Sequence, residues 1–177
     1  MYGHDRTRAK HGHSGTDQPA TAGPAMSLET ILVAVDSDDS ETIEQLAETA
    51  ADIAKPAGAR VVVGYVFSNG EYDTARERLQ FDPDSEVTPD VVAERMIGVR
   101  ELTELLTDAG VAHDVRGRLA NGSDGGELLA DLGDESDVDL AIVGGRGRTP
   151  AGKAVFGSTA QTLMLSADYP VTYVRTE

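Results

Sequence analysis

Apolar residues fall along this chain into short continuous runs, separated by longer segments with an apolar residue every three or four positions. The short runs are typical of buried strands, and the longer segments are typical of helices with one buried face. Strands that alternate with helices in this way predict an α/β fold, with a parallel sheet and helices on both of its faces. The predicted strands are Ile31–Val35, Arg60–Phe67, Ala112–Leu119, Asp139–Val143 and Val171–Val174.

Helix boundaries are predicted from the residues that favour helix starts and ends. A helix follows the first strand, and Pro56 with Gly58 predicts its end. One long helix is predicted from Pro89, a residue suited to a first helical turn, to Gly110. Two shorter helices are predicted later in the chain: one contains Leu128, Leu129 and Leu132 and ends near Gly133, and the other spans Thr159–Ala167.

Two polar segments between these elements are predicted to be irregular. In residues 68–88, Asn69-Gly70 indicates a turn, and a short helix is predicted around Thr74–Leu79. Asn121–Gly126 is predicted to be a loop. His113 lies in the third strand, where a lone histidine is more often structural than catalytic.

Composition divides the 177 residues into a tail and one domain. Residues 1–26 are rich in Gly, His, Thr, Ala and Pro and show no apolar period, so they are predicted to form a disordered N-terminal tail. Its histidines, His4, His11 and His13, have no carboxylate or histidine cluster elsewhere to complete a metal site. Residues 27–177 are predicted to form a single domain.

Net charge and residue usage exclude several classes of protein. The formal net charge is −16, which argues against nucleic-acid binding, because counterion release needs a basic surface. Strong acidity with only three lysines fits solubility in high salt and predicts a halophilic source. There is no cysteine for a disulfide, a thiolate zinc site or a nucleophile. No apolar run is long enough for a membrane span, so a cytoplasmic protein is expected.

A glycine-rich stretch after the fourth strand is the strongest functional signal. Glycines let backbone N–H groups approach an anion, and a helix N-terminus adds a positive dipole end. A P-loop would need a Ser or Thr at position 154, where Ala154 stands, and a dinucleotide fingerprint would need glycine where Pro150 stands. The pattern Gly-x2-Gly-x9-Gly-Ser fits throughout, at Gly144, Gly147, Gly157 and Ser158.

With this pattern, the chain resembles the ATP-binding branch of the universal stress protein family. The resemblance covers roughly residues 28–175 and includes the first strand with Asp36, the glycine loop from Val143 to Arg148 and the closing strand from Pro170 to Val174. It implies an open, doubly wound, parallel five-stranded sheet of order 3-2-1-4-5. It also implies a homodimer formed through the fifth strand.

The resemblance further implies a nucleotide site at the carboxyl ends of the strands. Asp36 is expected beside the ribose or adenine, or on a metal ion at the phosphates, while Val66 packs on the adenine and Val143 borders the pocket. The glycine motif supplies backbone N–H groups, and Arg146 and Arg148 supply charge. The implied nucleotide-binding residues are Val35, Asp36, Ser37, Val66, Val143, Gly144, Arg146, Gly147, Arg148, Gly157, Ser158 and Thr159.

Each of these assignments has a structural alternative. Asp36 and Ser158 could each cap a helix, Val66 and Val143 could be core residues, and the arginines could be solvated. The first turn also departs from the Asp-Gly-Ser of many relatives, since it reads Asp36-Ser37-Asp38-Asp39-Ser40. The additional acids there could repel phosphate or help to hold a divalent cation.

The function predicted from the sequence is that of an ATP-binding stress or regulatory factor rather than an enzyme. ADP or AMP is an alternative ligand, and Mg²⁺ or Mn²⁺ could accompany the nucleotide through Asp36. No catalytic residue is predicted, because no general base other than Asp36 has a clear place in the pocket. A slow ATP hydrolase and an interaction module without nucleotide are the two alternatives.

Overall fold

A five-stranded parallel sheet forms the centre of the molecule. The computed structural model describes residues 27–36, 38–146 and 156–176, with only the backbone of Arg146, so the predicted tail at residues 1–26 lies outside the described residues. The strand order is β3-β2-β1-β4-β5, which confirms the predicted topology. The strands are β1 (Thr30–Val35), β2 (Arg60–Phe67), β3 (His113–Leu119), β4 (Leu140–Arg146) and β5 (Val171–Thr176).

Helices cover both faces of this sheet, as the alternating pattern predicts. Alternate residues of β1 enter different cores: Ile31 and Val33 pack with α1 and α4, whereas Leu32 and Ala34 pack with α5 and α6. The described helices are α1 (Ser40–Ala57), α2 (Asn69–Arg78), α3 (Pro89–Ala93), α4 (Ile97–Asp108), α5 (Gly125–Glu135) and α6 (Ser158–Ser166). None of these helices is long and apolar enough to cross a lipid bilayer.

The single long helix predicted from Pro89 to Gly110 is wrong, because the chain breaks it into α3 and α4. Met96 adopts an extended backbone between the two helices, and the Gly98 N–H at the start of α4 donates to Asp38 Oδ1 at 3.1 Å. The short α3 packs on β3, whereas α4 packs along α1. One straight helix could not follow both surfaces, so packing overrides the continuous helical pattern.

The turn predicted at Asn69-Gly70 is also wrong, since these two residues begin α2. Ser68 accepts a hydrogen bond from the Glu71 N–H, and the Glu71 carboxylate accepts one from the Ser68 N–H, each at 3.3 Å. This reciprocal capping box satisfies two backbone donors that a helix start would otherwise leave unpaired. The local cap therefore decides the conformation against the turn preference of Asn-Gly.

The fourth strand extends beyond Val143, where the sequence predicts a loop. Gly144 and Gly145 continue β4 and pair with Val174 and Arg175 of β5. A Cβ on Gly144 would lie 3.0 Å from Thr42 Cγ2, and one on Gly145 would lie 2.7 Å from the Tyr173 hydroxyl. Gly144, the first glycine of the motif, and its neighbour Gly145 thus have a packing role within the sheet.

The other boundaries differ from the predicted ones by only a few residues. Helix α1 continues through Pro56 to Ala57 and ends where Gly58 adopts a left-handed backbone with φ of 67°. Helix α5 begins inside the predicted loop, at Gly125, because Asp124 caps it through the Gly126 N–H. A backbone cap at Gly58 and a side-chain cap at Asp124 account for these two boundaries.

Replacing Gly117 with alanine is expected to destabilise the fold. A Cβ at Gly117 would lie 2.2 Å from the Pro89 carbonyl oxygen, and the Gly117 N–H donates to Asp90 Oδ1 at 2.7 Å, so α3 and β3 would have to separate. Overpacking of this kind costs about 1–3 kcal/mol of unfolding free energy. Urea denaturation of Gly117→Ala measures the loss.

The matched control is Gly70→Ala, because a Cβ at Gly70 would have no atom within 4 Å. Gly70 lies in α2, where alanine is the better helix former, so this variant is expected to be unchanged or more stable by up to about 1 kcal/mol. Equal losses of unfolding free energy in both variants would contradict the close contact between α3 and β3.

Candidate functional site

A cleft of about 280 Å³ opens at the carboxyl ends of β1 and β2. The starts of helices α5 and α6 approach the same edge of the sheet, as expected for ligand sites of open parallel sheets. The residues that line the cleft are Val35, Asp36, Tyr65, Val66, Ser68, Glu71, Ala120, Gly125, Leu129 and Thr159.

Asp36 forms the acidic wall at the end of β1. It lies at the solvent-accessible mouth, yet burial by the surrounding protein raises the pKa of its carboxyl group, while a hydrogen bond from its own backbone opposes this shift. The alternative that Asp36 caps α1 is wrong, because Asp39 is the N-cap and accepts from the Thr42 N–H. The carboxylate of Asp36 therefore faces a binding cleft rather than the start of a helix.

The two additional acids of the first turn hold helix starts. Asp39 caps α1, and Asp38 accepts from the Gly98 N–H at the start of α4. Ser37, between them and Asp36, lies outside the described residues. Both acids therefore have structural roles at helix starts, as N-cap residues in this turn sequence would predict.

Tyr65 and Glu71 form a second acidic wall where β2 leads into α2. The Tyr65 hydroxyl donates to Glu71 Oε1, and Glu71 Oε2 accepts from the Ser68 N–H at 3.3 Å. Burial and the neighbouring Glu71 carboxylate raise the pKa of the Tyr65 phenol far above its usual range. Glu71 is thus fixed in orientation by the tyrosine and by the backbone.

The opposite wall is formed by α5 and α6. Gly125 is the first residue of α5, and a Cβ there would lie 3.8 Å from Val66 Cγ1 and 3.9 Å from Thr159 Oγ1. Because glycine has no side chain, the space between these two residues stays open. A larger residue at position 125 would enter the cleft without a steric clash at its Cβ.

Helix α6 begins with Gly157 as its N-cap and Ser158 as its first helical residue, so the alternative that Ser158 is the N-cap is wrong. Gly157 has no side chain, so it forms no side-chain hydrogen bond to the first turn of the helix. The first N–H groups of a helix lack partners within the helix and carry its positive dipole end. This helix start lies beside Thr159, which lines the cleft.

The structure brings four of the predicted site residues to the cleft and separates others from it. Val35, Asp36, Val66 and Thr159 line it. Val143 is fully buried in the core formed with α5 and α6, and Gly144 lies within β4. Gly157 and Ser158 form the start of α6. The predicted residues Ser37, Gly147 and Arg148 and the side chain of Arg146 lie outside the described part of the structure.

Sequence reasoning missed six residues of the cleft. Ser68 and Glu71 had a usable signal, because Ser followed three residues later by Glu is the sequence signature of a capping box. The others come from different segments whose approach depends on the fold. The missed residues are Tyr65, Ser68, Glu71, Ala120, Gly125 and Leu129.

The chemistry of the described cleft is that of hydrogen-bond acceptors and apolar walls. Asp36 and Glu71 are its only carboxylates, and none of its ten lining residues is a cation. Among the described residues, no group of three His, Asp or Glu side chains could hold a metal ion. A divalent cation beside Asp36 would therefore need further ligands from a bound molecule, such as phosphate oxygens.

Comparison with known proteins assigns the chain to a family. The model of the universal stress protein family matches residues 27–175. The chain belongs to the universal stress protein family. A curated universal stress protein of Mycolicibacterium smegmatis is 36% identical over 77 residues, which span 44% of this chain and 58% of that relative. The aligned part thus spans little more than half of the length of that relative.

Solved structures of universal stress proteins share the fold. One from Archaeoglobus fulgidus has a TM-score of 0.59 and 24% identity, covering 83% of this chain and 98% of that one. The universal stress protein from Archaeoglobus fulgidus in complex with dAMP has a TM-score of 0.56 and 21% identity, covering 85% of this chain and 100% of that one. At these identities the likeness concerns the fold alone.

In this universal stress protein, replacing Asp36 with asparagine is expected to stabilise the fold at neutral pH. The folded-state pKa of Asp36 is raised above the unfolded value of about 3.9, so ionisation of this group opposes folding as pH rises. The urea midpoint of Asp36→Asn should exceed that of the natural protein at pH 7. The gain should shrink as pH falls through the folded-state pKa toward about 4.

Asp52→Asn is the matched control, because Asp52 is an exposed acid on α1 and its replacement changes the net charge equally. A gain of the same size and pH dependence in Asp52→Asn would assign the effect to the overall charge. The expected result is a larger gain for Asp36→Asn.

Proposed function

We propose that the cleft binds an adenine nucleotide, and that the protein acts as a nucleotide-responsive stress or regulatory factor. The observation that carries this proposal is the arrangement of the cleft, with the Asp36 carboxylate on one side and Thr159, in the first turn of α6, on the other. A structurally similar universal stress protein is known in complex with dAMP, which supports an adenine nucleotide as the ligand.

The apolar walls suit the adenine ring. Val35 and Val66 come from neighbouring strands, and Leu129 comes from α5 on the opposite side. Flat aromatic groups bind between such surfaces through dispersion and loss of apolar hydration. Val66 is half-buried and so keeps surface available for a ligand, in agreement with its predicted contact with adenine.

The carboxylates of the acidic walls can accept hydrogen bonds from the nucleoside, whereas they repel phosphate groups. Ionised Asp36 and Glu71 can only accept hydrogen bonds, so ribose hydroxyls or the adenine amino group are their natural partners. Phosphate beside these carboxylates would be repelled, because like charges at short range are unfavourable. We therefore propose that the nucleoside end of the ligand lies toward Asp36 and Glu71.

In this orientation the phosphates of the ligand would lie toward the start of α6 and the glycine motif. The first-turn N–H groups of α6 offer donors and a positive dipole end, which favour an anion. Gly147 of the motif and the nearby Arg148 lie outside the described structure, and their roles stay predictions. A divalent cation that accompanies ATP would offset the repulsion between the phosphates and the Asp36 carboxylate.

Homodimerisation through β5 stays part of the proposal. This strand is at the edge of the sheet and pairs with β4 alone among the described strands. Its residues Val171, Tyr173 and Val174 are only half-buried in the single chain, and Leu165 on α6 is 79% exposed. An apolar edge strand of this kind is a ready surface for pairing.

Filling the cleft is expected to abolish nucleotide binding. Gly125→Val adds a side chain between Val66 and Thr159 with no close contact at its Cβ, so the protein should fold while the cleft closes. Calorimetric titration with AMP and ATP should give saturable binding by the natural protein. Binding to Gly125→Val should be at least about tenfold weaker, the equivalent of 1.4 kcal/mol.

Asp52→Asn is a control, because Asp52 is exposed on α1 and does not line the cleft, and it should retain binding. Absence of binding by the natural protein would overturn the proposal. Phosphate release measured in the same samples, against Asp36→Ala, separates binding from ATP hydrolysis. Mass spectrometry of protein purified without added nucleotide identifies any nucleotide it retains.

Asp36 is expected to recognise the ribose. A hydrogen bond to a charged group contributes about 1.5–3 kcal/mol, so Asp36→Ala should weaken AMP binding by about tenfold or more. The substitution should change the affinity for 2′,3′-dideoxy-AMP much less, since that ligand has no ribose hydroxyl to lose. Equal losses for the two ligands would assign Asp36 a role other than ribose recognition.

A further inference from the structure

A second cleft, of about 240 Å³, lies between α2 and the junction of α3 and α4. It shares no lining residue with the nucleotide cleft. It lies beside Met96, whose extended backbone separates α3 from α4. Its lining combines three arginines, four apolar residues and one acid. These residues are Arg78, Arg95 and Arg100, then Ala75, Leu79, Met96 and Ile97, and finally Asp38.

Three arginines around one cleft are unusual in a chain with a net charge of −16. Several other arginines of the described structure are engaged within the protein. Arg60 pairs with Asp114 at 3.2 Å, and Arg118 bonds to Glu135 at 2.6 Å. Arg76 donates to three backbone carbonyl groups between residues 82 and 85. These contacts within the protein give the three arginines structural roles.

The arginines of the second cleft have few such contacts. No hydrogen bond or ion pair engages Arg78 within the described part of the chain. Arg95 lies over the ring of Phe81 at 5.4 Å, and Arg100 forms one exposed pair with Glu104 at 3.6 Å. Exposed ion pairs of this type bind weakly, so the guanidinium groups keep donors available for an anion.

The floor of the cleft is apolar and partly uncovered. Ile97 is the first residue of α4 and is 61% exposed, although its side chain would gain by leaving water. Met96 and Leu79 are half-buried beside it. Exposed apolar surface framed by guanidinium groups matches a ligand with a negative head and an apolar body.

Asp38 limits where the negative head can lie. Its carboxylate accepts from the Gly98 N–H at 3.1 Å and so occupies the start of α4, where the N-cap Met96 provides no side-chain bond. A second anion beside Asp38 would be repelled. The head of the ligand is therefore expected on the side of the arginines, with its tail over Ile97.

We infer that this cleft binds a small organic anion, a carboxylate attached to a short apolar chain. The cleft has a volume of about 240 Å³, which is at the small end of ligand pockets and suits a small molecule. One guanidinium group can bind a carboxylate through two parallel N–H donors, and three arginines line this cleft. This inference does not depend on nucleotide binding in the first cleft.

Titration of ¹⁵N-labelled full-length protein, followed by NMR, tests the inference with four defined probes. Octanoate has both head and tail, acetate has the head alone, octanol has the tail alone, and octylammonium reverses the charge. Octanoate should give saturable shifts at Arg78, Arg95 and Ile97, and bind at least about tenfold more tightly than each of the others. Octanol or octylammonium binding as well as octanoate would overturn the inference.

A pair of matched variants locates the site. Arg78→Gln/Arg95→Gln should weaken octanoate binding at least about tenfold. Arg60→Gln/Arg175→Gln lowers the positive charge equally at positions away from the cleft and should leave binding unchanged. Equal weakening in both variants, or none in either, would contradict a site built by these arginines.

Discussion

The burial of β1 on both faces is the constraint on which the rest of the structure depends. All six residues of this strand are buried, and it pairs with β2 on one side and β4 on the other. Fully burying a large apolar side chain stabilises a fold by about 1.5–3 kcal/mol, so moving the strand would be costly. Its fixed position delivers Asp36 to the carboxyl edge of the sheet, next to the starts of α5 and α6.

Charge distribution gives the two clefts opposite characters. The first cleft contains Asp36 and Glu71 and no cation among its described lining residues, so it favours donors such as hydroxyl and amino groups. The second cleft gathers three arginines on a chain with a strong excess of acids. Asp38 lies in the same short turn as Asp36, yet it lines the second cleft and holds the start of α4. One turn after β1 therefore helps to shape both clefts.

Hydrophobic periodicity predicted the strands well because it reports burial directly. β2 was predicted at its observed bounds, and β1 differs by one residue. Errors arose where local hydrogen bonds or packing decided the outcome. The capping box of Ser68 and Glu71 turns Asn69-Gly70 into a helix start, and the different surfaces under α3 and α4 break a pattern that is continuous in sequence. Gly144 and Gly145 extend β4 by pairing with β5, at positions where a Cβ would lie 3.0 and 2.7 Å from neighbouring side chains.

The sequence by itself determined the alternation of strands and helices and the family resemblance, and it predicted Asp36, Val66 and the glycine motif as site residues. These features are local, since each depends on residue spacing within one segment. Only the tertiary structure decided that Tyr65, Glu71, Gly125 and Leu129 form one cleft, and that three arginines from α2, the α3–α4 junction and α4 surround another. Residues far apart in sequence meet because the parallel sheet brings strand ends to one edge, and no sequence period records that approach.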